Sequence, residues 1–536
     1  MAIIKNILVG ILGMMLFLPW IQRSAEIFTI SPLSGDFVPA PKPEFSLKNW
    51  KEGVFQSQTE KFTEEKIGFH TSLVRLRNQQ DYFLFSMANA EGVVVGKNGE
   101  LYEQDYIRAY LGGDFIGEST LEKKIRRLKF VQEKLKAMGK DLVMVFEPGR
   151  ASYSPENIPD RYFKMYPKSK SNYSSMLENI KKFDIRYIDF NQYFIENKNK
   201  SPYPLYPKQG VHWSKYGSIV VADSIKRYIE GMRGISLGKM ITTNTELSDS
   251  LKFTDYDAGK AMNLLFEMPH SKMAYPQLKF EDLPLDKRPS LLVISDSYYW
   301  NIYTAEIPMH LFKHGEFWYY NSIAQFDQDK AREVKSLDLK KEIEAKDIIM
   351  IMVTERFLYN YDWRFIDNLY EMFTPELQID EPYKYANNIR GVSDWLTMMI
   401  KKSKDGNIPL EEAVRRDAMY LFENDNKDKY MLFAGLDHYY VGMKADADWM
   451  SKIAVKAKEK KRTTEQQLKL EAEYIFSIEY PKAFEKYQNI QALIKEISSI
   501  PANMEIIRKN PYFLKPEEML WQEAYARNEG RKILLQ

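Results

Sequence analysis

Three short, nearly continuous apolar runs constrain this chain most: residues 142–146, 291–294 and 348–353. They are too short for helices and lack the alternation of a half-exposed strand, so each reads as a strand buried on both faces. A fourth segment, 185–189, reads as a further strand. Helical patterns lie between them. In 119–138, Leu121, Ile125, Leu128, Val131, Leu135 and Met138 recur at helical spacing, with Ser119 and Glu122 as a capping box and Gly139 as a stop. Residues 176–183 and 218–229 are likewise helical. Buried strands alternating with amphipathic helices predict an α/β fold, a parallel sheet covered on both faces. Such sheets build their sites at the C-terminal ends of the strands.

The flanking regions divide the chain further. Lys5 followed by the apolar segment 7–21 and Gln22-Arg23 reads as a signal-anchor or signal peptide over residues 1–25, which places the bulk of the chain outside the cytoplasm. Residues 26–48 carry Pro32, Pro39, Pro41 and Pro43 and read as an extended linker holding the body off a membrane. Residues 49–365 form the α/β domain. It opens with a helical stretch, 50–85, anchored by Phe62, Ile67, Leu73, Leu76 and Phe83, and a hairpin over 93–102 turning at Asn98-Gly99. Residues 366–536 read as mostly helical, interrupted at Pro481, Pro501, Pro511 and Pro516. The basic run 452–462 within them reads as a solvated helix face. With 76 basic and 74 acidic residues, nothing in the charge calls for a nucleic-acid partner. The absence of cysteine excludes disulfides, thiolate metal sites and a cysteine nucleophile. The six histidines form no helix-borne zinc motif, and no metal or cofactor is expected.

Chemistry concentrates in two segments. Ser297, in Ile294-Ser295-Asp296-Ser297, follows a buried strand directly, where its hydroxyl is held rigidly at a sheet edge. A serine hydroxyl needs a base to become a nucleophile. His212, in Gly210-Val211-His212-Trp213-Ser214, lies in a loop before a helix, from which it can reach another strand end. Asp296 is expected to point away from Ser297 and brace the turn. Read without a partner, the serine is equally a strand-end cap, and the histidine one satisfied by local hydrogen bonds.

Together these segments resemble the alginate O-acetyltransferase family, AlgJ/AlgX type, within the SGNH-hydrolase-like superfamily. That family carries an Asp-x-His-Trp motif upstream of a Gly-Asp-Ser motif, matched here by Gly210-Val211-His212-Trp213 and Ser295-Asp296-Ser297. The segment from Val95 to Tyr102 resembles the family's hairpin, and Thr354-Glu355-Arg356-Phe357-Leu358 its Glu-Arg-x-Leu strand end. The likeness spans roughly residues 45–365. It implies an SGNH-hydrolase-like three-layer parallel sheet flanked by helices, with an N-terminal membrane anchor and a helical C-terminal extension. It also implies a serine acyl-enzyme that O-acetylates an extracytoplasmic polysaccharide at the cell inner membrane. Ser297 would be the nucleophile and His212 the base. Asp296, Asn321 and Arg356 would be supporting or oxyanion residues, with Glu355 beside them. Tyr298, Trp300 and Trp213 are candidate substrate aromatics. The implied partners are a polysaccharide acceptor, the membrane and a multi-spanning membrane O-acyltransferase that supplies acetyl.

One position departs. The family's triad Asp falls at Gly210, which has no side chain, and the loss of that carboxylate can cost about 10⁴ in rate. Three readings follow: a backbone carbonyl orients His212, an acid such as Asp189 or Glu147 substitutes, or the chain is a non-catalytic relative. The alternatives in function are a carbohydrate esterase using the same Ser and His, and a membrane-anchored polysaccharide-binding or assembly factor.

Overall fold

The computed structural model describes residues 2–35, 39–327, 330–375, 381–513 and 515–531. Eleven strands are found among them. β1 (Val93–Val95) and β2 (Leu101–Glu103) form the small hairpin, in which Asn98 and Gly99 both take left-handed φ values, 56° and 71°. β3 (Asp141–Glu147), β4 (Tyr187–Asp189), β7 (Leu291–Ser295), β8 (Gly315–Tyr319), β9 (Ile323–Asp327), β10 (Lys330–Glu333) and β11 (Ile348–Thr354) make one sheet in the order β10-β9-β8-β7-β11-β3-β4. β5 (Lys239–Ser248) and β6 (Met273–Glu281) pair as a separate antiparallel ribbon.

The five strands β8, β7, β11, β3 and β4 are parallel, as the apolar runs require. Alternate residues of the central strands feed two cores. Val143, Val145, Leu291, Val293, Ile348 and Met350 pack beneath the helix Lys215–Arg233. Leu142, Met144, Phe146, Leu292, Ile294, Ile349 and Ile351 pack beneath the helices Glu118–Ala137, Asn172–Lys182 and Phe365–Phe373. Both faces of each strand are dry, which is why these strands carry no polar alternation.

Four expectations need correction. β9 runs antiparallel to β8 and β10 antiparallel to β9, so the sheet is mixed: too few residues separate these strands for a crossover, and a short connection can only reverse direction. The helix expected to start at Ser119 starts at Glu118 with Gly117 as N-cap and no side-chain capping bond. Glu122 is instead drawn to Arg126 and Lys182. The proline-rich linker is not a free spacer. Arg75 donates to the carbonyls of Ser31 (3.0 Å) and Pro32 (2.6 Å), and the Ala40 amide donates to Glu65 (2.6 Å). Finally, the helices Val54–Lys66 and His70–Phe85 do not turn all their apolar anchors inward: Ile67, Leu73, Leu76 and Phe83 are exposed.

Beyond Phe373 the described residues are helical up to Asn528 with no further strand. Pro481, Pro501 and Pro516 each occupy the first turn of a helix, where a missing N–H costs nothing. At the N-terminus, Ala2–Ala25 is one helix, apolar and long enough from Ile4 onward to cross a membrane.

Candidate active site

Parallel β7, β11 and β3 end together at Ser295, Thr354 and Glu147, and the chain turns out of β7 into a single 3₁₀ turn, Ser297–Tyr299. Asp296 holds that turn in place. It is fully buried, one oxygen accepting from the Tyr298 amide (3.0 Å), the other from the amide (3.0 Å) and hydroxyl (2.7 Å) of Thr354. The Ser297 turn and the neighbouring strand are thereby locked in register. Glu147, also fully buried, lies against Asp296; burial pushes its carboxyl well above the ordinary range, with the Asp296 charge adding to the rise.

His212 reaches the turn from the loop before the helix Lys215–Arg233, whose N-cap is Ser214. Its Nε2 lies 2.8 Å from Ser297 Oγ. Its Nδ1 lies 2.6 Å from Asp257 Oδ2. A carboxylate at that distance fixes the proton on Nδ1, which leaves the Nε2 lone pair free to accept from the serine hydroxyl. The second oxygen of Asp257 accepts from the amides of Val211 (2.8 Å) and Ala258 (2.7 Å), so the acid is itself fixed at the start of the helix Asp257–Ala261.

The chain therefore has a carboxylate on its histidine, and it is none of the expected candidates. Asp189 accepts from the Tyr173 hydroxyl (2.7 Å) and the Gln192 amide (3.0 Å) as a helix cap, and Glu147 lies under the serine turn. No backbone carbonyl orients Nδ1, since Asp257 occupies it. The reason lies at Gly210. A Cβ there would sit 2.6 Å from Pro207 Cγ and 2.6 Å from the Thr254 carbonyl oxygen. The segment that delivers Asp257 packs into the space a side chain at 210 would fill. Asn301 Nδ2 (2.9 Å to Thr254 Oγ1) and the Gly259 amide (2.9 Å to the Gln209 carbonyl) bind the two segments together.

Several proposed site residues have other tasks. Trp213 and Tyr298 are fully buried. Tyr298 lies behind His212, ring centroids 4.9 Å apart, with Trp213 at its edge (5.1 Å), and its hydroxyl donates to the Val211 carbonyl. Trp300 is half-buried against Tyr303, Phe317 and Tyr319. Asn321 is no oxyanion donor: its Nδ2 donates to the Trp363 carbonyl (3.0 Å). Both Tyr320 and Asn321 take a left-handed backbone (φ 50° and 49°). Arg356 pairs with Glu103 and lies over the rings of Tyr106 (4.9 Å) and Phe357 (4.6 Å) at the margin. Glu355 accepts from Ser152 Oγ, and burial raises its carboxyl to about 7. Among the described residues no group of three or more His, Asp or Glu is placed to hold a metal.

Ser297, His212 and Asp257 thus lie in line at the C-terminal edge of the parallel strands. Residues 93–257 match the family model described as SGNH hydrolase-like domain, acetyltransferase AlgX, a match that includes His212 and ends at Asp257. No curated protein matches the chain by sequence. Among solved structures, the O-acetyltransferase domain of Pseudomonas putida AlgJ is similar at 14% identity, over 52% of this chain and 99% of that one, with a TM-score of 0.35. Pseudomonas aeruginosa AlgX is similar at 16% identity, over 49% and 55%, with a TM-score of 0.30. Bacillus cereus PatB1 is similar at 12% identity, over 50% and 96%, with a TM-score of 0.33. Residues 93–257 thus carry the likeness to an SGNH hydrolase-like domain of the AlgX type, the same family that the motifs resemble.

Proposed function

We propose that this protein is an extracytoplasmic polysaccharide O-acetyltransferase working through an acetyl-serine. The observation that carries the reading is the relay Ser297 Oγ–His212 Nε2 at 2.8 Å and His212 Nδ1–Asp257 Oδ2 at 2.6 Å. Ser297 Oγ attacks the acetyl carbonyl of the donor while its proton passes to His212 Nε2. Asp257 keeps the imidazole in the required tautomer and balances the imidazolium charge. The Ser297 amide, first in its 3₁₀ turn and so without an acceptor inside it, is the donor for the oxyanion. Collapse of the tetrahedral intermediate breaks the bond to the donor's leaving group, which takes the proton from His212. A sugar hydroxyl then loses its proton to His212 and attacks the acetyl-serine. A second tetrahedral intermediate releases the acetylated sugar, and the proton returns to Ser297.

The Gly210 substitution was the reason to consider a non-catalytic assembly factor. Asp257 supplies the missing carboxylate and removes that reason. Water in place of the sugar would make the same site an esterase. The helix Ala2–Ala25 supports an anchored, extracytoplasmic placement, with acetyl delivered by a multi-spanning membrane acyltransferase.

The test is single-turnover acetylation of the purified protein by a chromogenic acetyl ester, followed by intact mass. The parent should gain one acetyl group on Ser297 and pass it to a polysaccharide acceptor faster than to water. Ser297→Ala should gain none. An acetyl adduct formed equally by Ser297→Ala would overturn the mechanism, and loss to water alone would make the protein an esterase.

A further inference from the structure

The helix His70–Phe85 is inside out. Leu73, Leu76, Phe83 and Leu84 are 51%, 53%, 71% and 64% exposed. At 100° per residue these four fall within about 100° of arc, a largely apolar face in which Gln80 is the polar member. The buried positions of the same helix are polar: Asn78 donates from Nδ2 to the Met262 carbonyl (2.9 Å), and the Phe266 amide donates to Gln79 Oε1 (3.0 Å). A helix that turns amides toward its own protein and leucine and phenylalanine toward solvent is arranged for an apolar surrounding on that side.

The start of this helix lies at a defined place. Residues 68–70 pack against the end of the helix Ala2–Ala25: a Cβ at Gly68 would strike the Pro19 carbonyl and crowd the Arg23 amide and Gln22 Cβ, and the rings of Phe28 and Phe69 are 6.0 Å apart. Pro19 to Arg23 is where the apolar segment 7–21 gives way to Gln22-Arg23, the level at which a spanning helix leaves hydrocarbon. The exposed apolar face therefore begins at the depth of the membrane boundary. Arg77, its side chain 81% exposed and 3.8 Å from Asp81, is on the same helix.

We propose that the helix His70–Phe85 is a membrane foot, lying in the outer lipid surface with Leu73, Leu76, Phe83 and Leu84 immersed. It rests on the reading of Ala2–Ala25 as a membrane anchor. Two attachments, one spanning and one in the plane, fix the body's tilt rather than leave it swinging on one helix.

The absence of cysteine makes the test direct. The full chain carrying Leu76→Cys or Leu84→Cys is nitroxide-labelled in phosphatidylethanolamine/phosphatidylglycerol vesicles, with Ile11→Cys in the anchor and Val455→Cys in the C-terminal helices as references. Accessibility to oxygen and to a water-soluble nickel chelate gives depth. Labels at 76 and 84 should read about 5–10 Å into the headgroup–acyl boundary, and Val455→Cys should read as aqueous. Immersion at Ile11 with aqueous values at 76 and 84 overturns the foot and leaves the anchor standing. An aqueous value at Ile11 overturns both. Labels at 76 and 84 shielded from oxygen and nickel alike would mean that protein covers this face, which overturns a lipid contact.

Discussion

Asp257→Asn is the sharpest probe of the site. The substitution keeps the size of the side chain. Its carbonyl oxygen can still accept from the amides of Val211 and Ala258, which Asp257 Oδ1 now does at 2.8 and 2.7 Å, so the loop 209–214 stays tied. What changes lies 2.6 Å from His212 Nδ1, where an NH₂ donor replaces a carboxylate oxygen. A donor there drives the ring proton to Nε2, and Nε2–H cannot accept from Ser297. The same swap in a serine triad with intact geometry lowers kcat by about 10⁴, which is about 5.5 kcal/mol of barrier. The measurement is the burst rate of acetyl-enzyme formation, with thermal unfolding in parallel to establish that the fold is kept. Asp255→Asn is the neighbouring control: Asp255 is buried toward Tyr275 and Lys215 rather than His212, and its replacement should leave the burst rate near the parent's. Asp257→Asn retaining a tenth or more of the parent rate, with an unchanged melting temperature, would refute the assignment of Asp257.

Two more predictions follow from packing and burial. Gly210→Ala places a methyl 2.6 Å from both Pro207 Cγ and the Thr254 oxygen, so stability should fall by about 1–3 kcal/mol and the acetylation rate should fall with it as Asp257 is displaced; an unchanged rate would separate Gly210 from Asp257. Glu355, raised by burial from 4.5 to about 7, keeps its proton in the folded state where the unfolded chain has lost it. Stability should thus decline as pH rises from about 4.5 to about 7, by about 3 kcal/mol from this group. Asp114 and Asp255, also raised by burial to about 7, add in the same direction. Glu355→Gln should flatten part of that decline in urea titrations at pH 5 and pH 8, and equal slopes for parent and variant would refute it.

The parts of the fold written in local periodicity were legible. Strands β3, β7 and β11 have apolar runs because both faces are dry, and Ser297 was locatable because it follows one of them. His212 was locatable through its motif. Asp257 was not: it lies 45 residues beyond His212 on a segment between two strands of an exposed ribbon, and no local pattern distinguishes it from the adjacent Asp255. The only mark of it in the sequence was negative, the missing side chain at Gly210. Asn321 was misplaced because the left-handed turn at Tyr320 and Asn321 takes its amide to the Trp363 carbonyl, a tertiary contact with no local mark in the sequence. The polar rim of the helix His70–Phe85 misled for the opposite reason: the pattern was amphipathic, but nothing in it says which side is the interior.

Asp257 sits in the 249–272 connection between β5 and β6. A triad whose acid and base share one short loop comes with its geometry nearly made. Here the histidine and its acid meet only when a 45-residue stretch of chain closes on itself, and the entropy of that closure opposes the meeting. The bonds from Asn301 to Thr254 and from Gly259 to Gln209 offset it. Loosening the β5–β6 ribbon at a distance would therefore turn His212 into an undirected base while Ser297 and its turn remained intact.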